Sequence, residues 1–70
     1  MKYTVNRNFI LGCIAAKNLK IKDVCCALNC SRVYFYVATT REYTAPRSLF
    51  INKVVDLLDL EKELVWQVEE

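Results

Sequence analysis

The strongest constraint on this chain is a pair of short segments, residues 19–29 and 32 to about 40, each with an apolar stripe at helical spacing. In the first, Ile21, Val24, Cys25 and Leu28 recur at intervals of three, one and three, and Asp23 falls in the first turn, where negative charge suits the helix dipole. In the second, Ser31 offers an N-cap, and Phe35 and Ala38 face inward three positions apart. Helices shorter than about 12–15 residues are marginal alone in water. Neither segment can stand without the other, and only about three residues separate them, so they must share one core. That is the physical content of a helix-turn-helix, here over about residues 20–40. A strand through residues 33–37 is the rival reading, because β-branched and aromatic residues favour strands.

The remaining residues must complete that core. The chain has 70 residues, enough for one domain over 1–70 and one core, and its 54% hydrophobic content, single Gly and single Pro exclude a disordered tail. Residues 1–5 alternate polar and apolar and read as an extended arm. Asn6 is a candidate N-cap for a first helix whose stripe is Ile10, Cys13, Ile14 and Lys17. Asn18 ends it and Asn29 ends the second, since Asn tolerates the left-handed backbone of a C-terminal stop. Residues 41–45 read as a polar loop, and Pro46 suits the first turn of a fourth helix striped by Leu49, Phe50, Lys53, Val54, Leu57 and Leu58. Asp59 is placed to cap a last helix, with Leu60, Leu64, Val65 and Val68 apolar and Trp66 packed onto the core. The expected fold is therefore all-α, a compact bundle of about five short helices.

Composition also narrows the chemistry. The formal net charge of +2 permits nucleic-acid binding without demanding it. Lys17, Lys20 and Lys22 fit a binding face or a merely solvated one, and Arg47 and Lys53 keep a polar face soluble. Glu61, Glu63, Glu69 and Glu70 make an acidic C-terminus that would repel DNA and belongs away from any reading face. The four cysteines, Cys13, Cys25, Cys26 and Cys30, read as reduced, buried, structural thiols of a cytoplasmic protein. Adjacent Cys25 and Cys26 point about 100° apart on a helix, so all four cannot converge on zinc, and there is no His to help. No apolar run approaches the roughly 20 residues of a membrane span. Without His, a Gly-rich phosphate loop or paired carboxylates in an apolar setting, the expectation is a non-enzyme. No catalytic residue, metal, cofactor or small-molecule substrate is expected.

Residues 18–32 (Asn-Leu-Lys-Ile-Lys-Asp-Val-Cys-Cys-Ala-Leu-Asn-Cys-Ser-Arg) resemble the pattern of the Cro and lambda-repressor-like family. Leu19 and Leu28 match outright, Val24 takes the family's Leu place, Cys25 its Ala place and Cys30 its Val place. Asn18 and Asn29 stand where Gly is preferred and can adopt the same backbone angles. Pro46 followed by Leu57-Leu58-Asp59-Leu60 resembles the family's fourth helix and its ending, so the likeness spans about residues 9–60.

The resemblance implies a small transcriptional regulator of phage or prophage type, whose third helix enters the major groove of operator DNA. Ser31 and Arg32 match the reading positions, and Lys20, Lys22 and Arg41 would hold phosphates. Val33, Tyr34, Tyr36 and Thr40 complete the implied DNA-binding set, and a homodimer on a two-fold site is implied with it. The outer face departs from the family, which prefers Ser, Thr, Gln, Asn or Arg there and a Glu where this chain has Ala38 and Thr39. Val33 can touch a thymine methyl and the tyrosine hydroxyls can reach phosphate. An apolar patch of Val33, Tyr34, Tyr36 and Val37 equally suits a protein partner, as in helix-turn-helix modulators and antirepressors that bind a repressor protein. A third reading shifts the register by one and makes these residues core.

Overall fold

The computed structural model describes residues 2–69. Met1, in the N-terminal arm, and Glu70, in the acidic C-terminus, lie outside the described residues. The chain runs β1 (Lys2–Val5), α1 (Arg7–Ala16), α2 (Ile21–Ala27), α3 (Arg32–Thr40), β2 (Glu42–Tyr43), α4 (Leu49–Leu58), α5 (Lys62–Val65) and β3 (Trp66–Glu69).

Local chemistry sets the helix ends in the first half of the chain. The Asn6 side chain accepts from the Phe9 backbone N–H at 3.2 Å and starts α1. Asn18 follows at φ 58°, the left-handed stop. Asp23 accepts from the Lys20 N–H at 2.9 Å at the start of α2. Asn29, at φ 56°, ends the turn of the helix, and the Cys30 N–H reaches back to the Cys25 carbonyl at 2.9 Å. Ser31 caps α3 by accepting from the Tyr34 N–H at 3.1 Å. Residues 33–37 are helical, which removes the strand alternative.

Phe35, with 1% exposure, sits in a core with Ile10, Ile14, Val24, Cys25, Ile51, Val54, Leu58 and Val65. Burying such side chains stabilises by roughly 1.5–3 kcal/mol each. Of the cysteines only Cys25 is buried; Cys13 and Cys30 are half-buried and Cys26 is exposed, which corrects the expectation of four buried thiols.

The all-α expectation is overturned by a three-stranded antiparallel sheet of order β2-β1-β3. The N-terminal arm is its central strand. Tyr3 pairs with Tyr43 on one side, and Lys2, Tyr3, Thr4 and Val5 pair with Glu69, Val68, Gln67 and Trp66 on the other. The polar loop at 41–45 thus contains strand β2, and the expected last helix is a single turn that changes to a strand at Trp66. Residues 66–69 alternate apolar and polar, the period of a strand. The decisive partner is the open edge of β1, some sixty residues away, which helical spacing within the segment does not reveal. The Asn6 N–H bonds the Val65 carbonyl at 2.7 Å where the two segments meet. Trp66 does pack on the core, but from a strand, with its ring edge-on to Tyr43 at 5.1 Å.

Three further expectations are corrected around α4. Its N-cap is Ser48, which accepts from Ile51, and Pro46 lies before the helix in the connecting turn. Its buried face is Ile51, Val54, Val55 and Leu58, while Leu49 and Leu57 are exposed. Two apolar stripes compete on this helix, and packing against α3 and into the shared core chooses the one rich in β-branched residues. Asp59 does not cap α5: at φ 54° it is the left-handed stop of α4, and Glu61 precedes α5.

Candidate nucleic-acid interface

The candidate site is the outer face of α3 and the surfaces flanking it. Phe35, Ala38 and Thr39 face the core, and the rest of the helix is exposed. Val33 (72% exposed) and Val37 (51%) are four residues apart and form an apolar ridge along the helix. Both positions lie outside the core, so the register-shifted reading fails. The two tyrosines diverge from the ridge. Tyr34 leans on Phe50 of α4, ring centres 4.9 Å apart, and Tyr36 lies beneath the Arg7 guanidinium at 5.1 Å.

On the Tyr36 side, Lys20, Lys22, Arg32 and Arg7 surround a notch of about 380 Å³ that also reaches Phe35. Three of these cations belong to the set expected to touch DNA. Arg7 was not among them. Its position next to an N-cap carries no sequence signal, and only the packing of α1 beside α3 brings it there. No carboxylate lines the notch. Asp23, the single acid among residues 1–41, is turned onto the Lys20 backbone.

On the Tyr34 side, a second notch of about 270 Å³ is lined by Tyr34, Val37, Arg41, Tyr43 and Phe50. Arg41 lies over the Tyr43 ring at 4.9 Å, and the Tyr43 hydroxyl donates to the Ala38 carbonyl at 2.6 Å. Burial pushes the Tyr43 phenol up, against the opposing pull of Arg41 and Ser48. Thus Arg41 is separated from Lys20, Lys22 and Arg32 by the width of α3. Two expected contact residues are already engaged: Ser31 in its cap, and Thr40, whose hydroxyl donates to the Tyr36 carbonyl at 2.7 Å. Burial, with Cys25 beside it, pushes the Cys30 thiol up, so it stays protonated at neutral pH. Among the described residues no group of three metal-ligating side chains forms. No helix among them is long and apolar enough to cross a membrane.

Charge divides along the chain. Residues 1–41 hold seven of the ten Lys and Arg and one of the eight Asp and Glu; residues 42–70 hold the other three and the other seven. The small net charge hides a basic α1–α3 half and an acidic remainder. No family model matches the chain, and no curated protein and no solved structure is detectably similar to it.

Proposed function

We propose that this chain is a helix-turn-helix transcriptional regulator of the Cro and lambda-repressor-like kind that binds duplex DNA through α3. The observation that carries the reading is the concentration of unbalanced positive charge in α1–α3, on the flanks of an exposed and well-capped helix. Duplex DNA presents one negative charge per roughly 1.7 Å of axis, and cations that neutralise its phosphates gain by releasing counterions. Arg32, at the start of α3, is suited to a bidentate contact with guanine. Val33 and Val37 suit thymine methyls, while Lys20, Lys22 and Arg41 grip the strands on either side. Of the acidic C-terminal half, Glu69 lies near this face, in a hollow with Arg7, Thr39 and Thr40 and apart from the notch of Lys20, Lys22 and Arg32.

The second reading, a modulator that docks on a repressor protein, is favoured by one observation: the Val33–Val37 ridge carries no hydrogen-bonding group and is widely exposed. Titration with a nonspecific duplex, followed amide by amide in NMR at low and moderate salt, separates the two. DNA binding predicts shifts clustered on α2 and α3 and steep weakening with salt. Arg32→Ala should then cost roughly 1–3 kcal/mol on a selected site. Absence of any shift at low salt would reject the DNA reading. A salt-insensitive complex with a repressor-like protein, lost in Tyr34→Ala or Tyr36→Ala, would establish the alternative.

A further inference from the structure

Four cations around one concavity repel each other, and in a folded protein such a cluster is ordinarily balanced by carboxylates. Here none lines the notch. Arg7 is its least exposed cation. It is half-buried, held over the Tyr36 ring, and its Nε is buried without a hydrogen bond in the protein. A buried N–H left without an acceptor is costly, and a guanidinium fixed on an aromatic face has little orientational freedom left to lose. Its donors form a planar fork that matches two oxygens of a phosphate. The ligand that repairs all three features at once is a tetrahedral oxyanion bearing negative charge.

We infer that the notch between α1, α2 and α3 is a phosphate seat in which Arg7 supplies the principal donor. Tyr36 acts as a positioning residue whose ring lies under the guanidinium. Lys20, Lys22 and Arg32 at the rim add charge. The inference rests on the DNA reading in one respect, that the phosphate is the diester of a nucleic-acid strand. The open notch of about 380 Å³ has room for a phosphate within a strand as well as for a free one, and the pyrophosphate arm of the test separates the two sources. The seat lies beside the ridge of α3, so a strand held there by Arg7 would fix the depth at which Val33 meets the groove. Arg7 would therefore raise affinity for all sequences alike and add no base preference of its own.

The test measures binding of a nonspecific duplex against salt for the wild type, Arg7→Gln, Arg7→Lys and, as a control from the acidic half, Lys62→Gln. A parallel arm titrates the wild type with inorganic pyrophosphate, watching the same amides. The expected result is a loss of roughly tenfold at low salt in Arg7→Gln and a log–log salt slope smaller by about one. Arg7→Lys should recover the slope but only part of the affinity, and Lys62→Gln should be unchanged. Wild-type affinity and slope in Arg7→Gln would overturn the seat and leave the DNA reading standing. No duplex binding, with pyrophosphate shifting the notch amides, would keep the seat, reject the nucleic-acid source and reject the DNA reading. Binding of neither probe would reject both. If Arg7→Gln fails to fold, Lys20→Gln with Lys22→Gln replaces it, and an unchanged salt slope in that double variant overturns the seat equally.

Discussion

The α2–α3 unit and the β1–β3 seam hold themselves together in different ways. In the first, the defining hydrogen bonds span three to five residues: Asp23 to Lys20, Ser31 to Tyr34, Cys30 to Cys25. In the second, Val5 meets Trp66 and Lys2 meets Glu69, so every bond closes a loop of about sixty residues. The local unit spends its outer surface on cations, tyrosines and two valines that the core does not need. The seam joins residues 2–5 to 66–69 and delivers Val5, Val65 and Trp66 to the core beneath that unit. The surface we propose as a binding face is thus carried by the part of the fold whose shape depends least on distant pairing, while the distant pairing supplies its foundation.

If the two regions share one core, the largest effect should come from a residue that both rest upon. Phe35→Ala should cost about 3–5 kcal/mol, close to or beyond the whole margin of so small a domain. Chemical denaturation followed by far-ultraviolet dichroism should show it largely unfolded. Survival of the sheet signal with loss of helix would mean that the two regions fold separately.

A smaller change should act on the local unit alone. Asn29→Ala keeps the left-handed backbone at φ 56° but removes the residue type that tolerates it, and should cost roughly 1–2 kcal/mol. Asn29→Gly should be nearly neutral. Equal losses in both variants, read from urea midpoints, would show that the side chain and not the backbone angle matters there.

Tyr43 ties β2 to the end of α3, and Tyr43→Phe should cost about 1 kcal/mol through the lost bond to the Ala38 carbonyl. It should also alter the pH dependence. The folded phenol is raised by burial, so it keeps its proton at pH values where the unfolded phenol, near pH 10, has lost it. Its contribution is fully present below about pH 10 and is lost as pH rises through the folded value. Thermal midpoints should therefore fall less steeply above pH 10 in Tyr43→Phe than in the wild type; parallel curves would contradict the assignment.

The smallest effect is expected at the sheet surface. Lys2 and Glu42 pair at 3.3 Å with both side chains more than half exposed, so Lys2→Gln should cost at most a few tenths of a kcal/mol. A loss above about 1 kcal/mol in denaturant titrations would make that pair a real clasp of the β1–β2 edge.

The candidate site was only partly readable from residue order. Lys20, Lys22 and Arg32 were visible as cations near the turn, and Val33, Tyr34, Tyr36 and Val37 as the non-core face of a helix whose inward residues were Phe35 and Ala38. Nothing in spacing placed Arg7 beside Tyr36 or separated Arg41 from the other cations, because helix packing, not helix period, decides which faces of different segments meet. Ser31 and Thr40 counted as contact residues in sequence, yet their hydroxyls serve the backbone of α3 itself.

What the sequence determined by itself is the set of decisions made within a few residues. Asn6 and Ser31 begin helices because their side chains reach an N–H three positions on. Asn18 and Asn29 end them because Asn accepts a left-handed backbone. What only the tertiary structure decided is how segments far apart complete one another. Residues 60–68 carry enough apolar spacing for a helix, and α4 carries two stripes of similar strength. Between such near-equal local options, the free edge of β1 and the shape of the core supply the deciding energy. Trp66 turned to a strand because the edge of β1 that β2 does not take offers a ladder of backbone partners to residues 66–69.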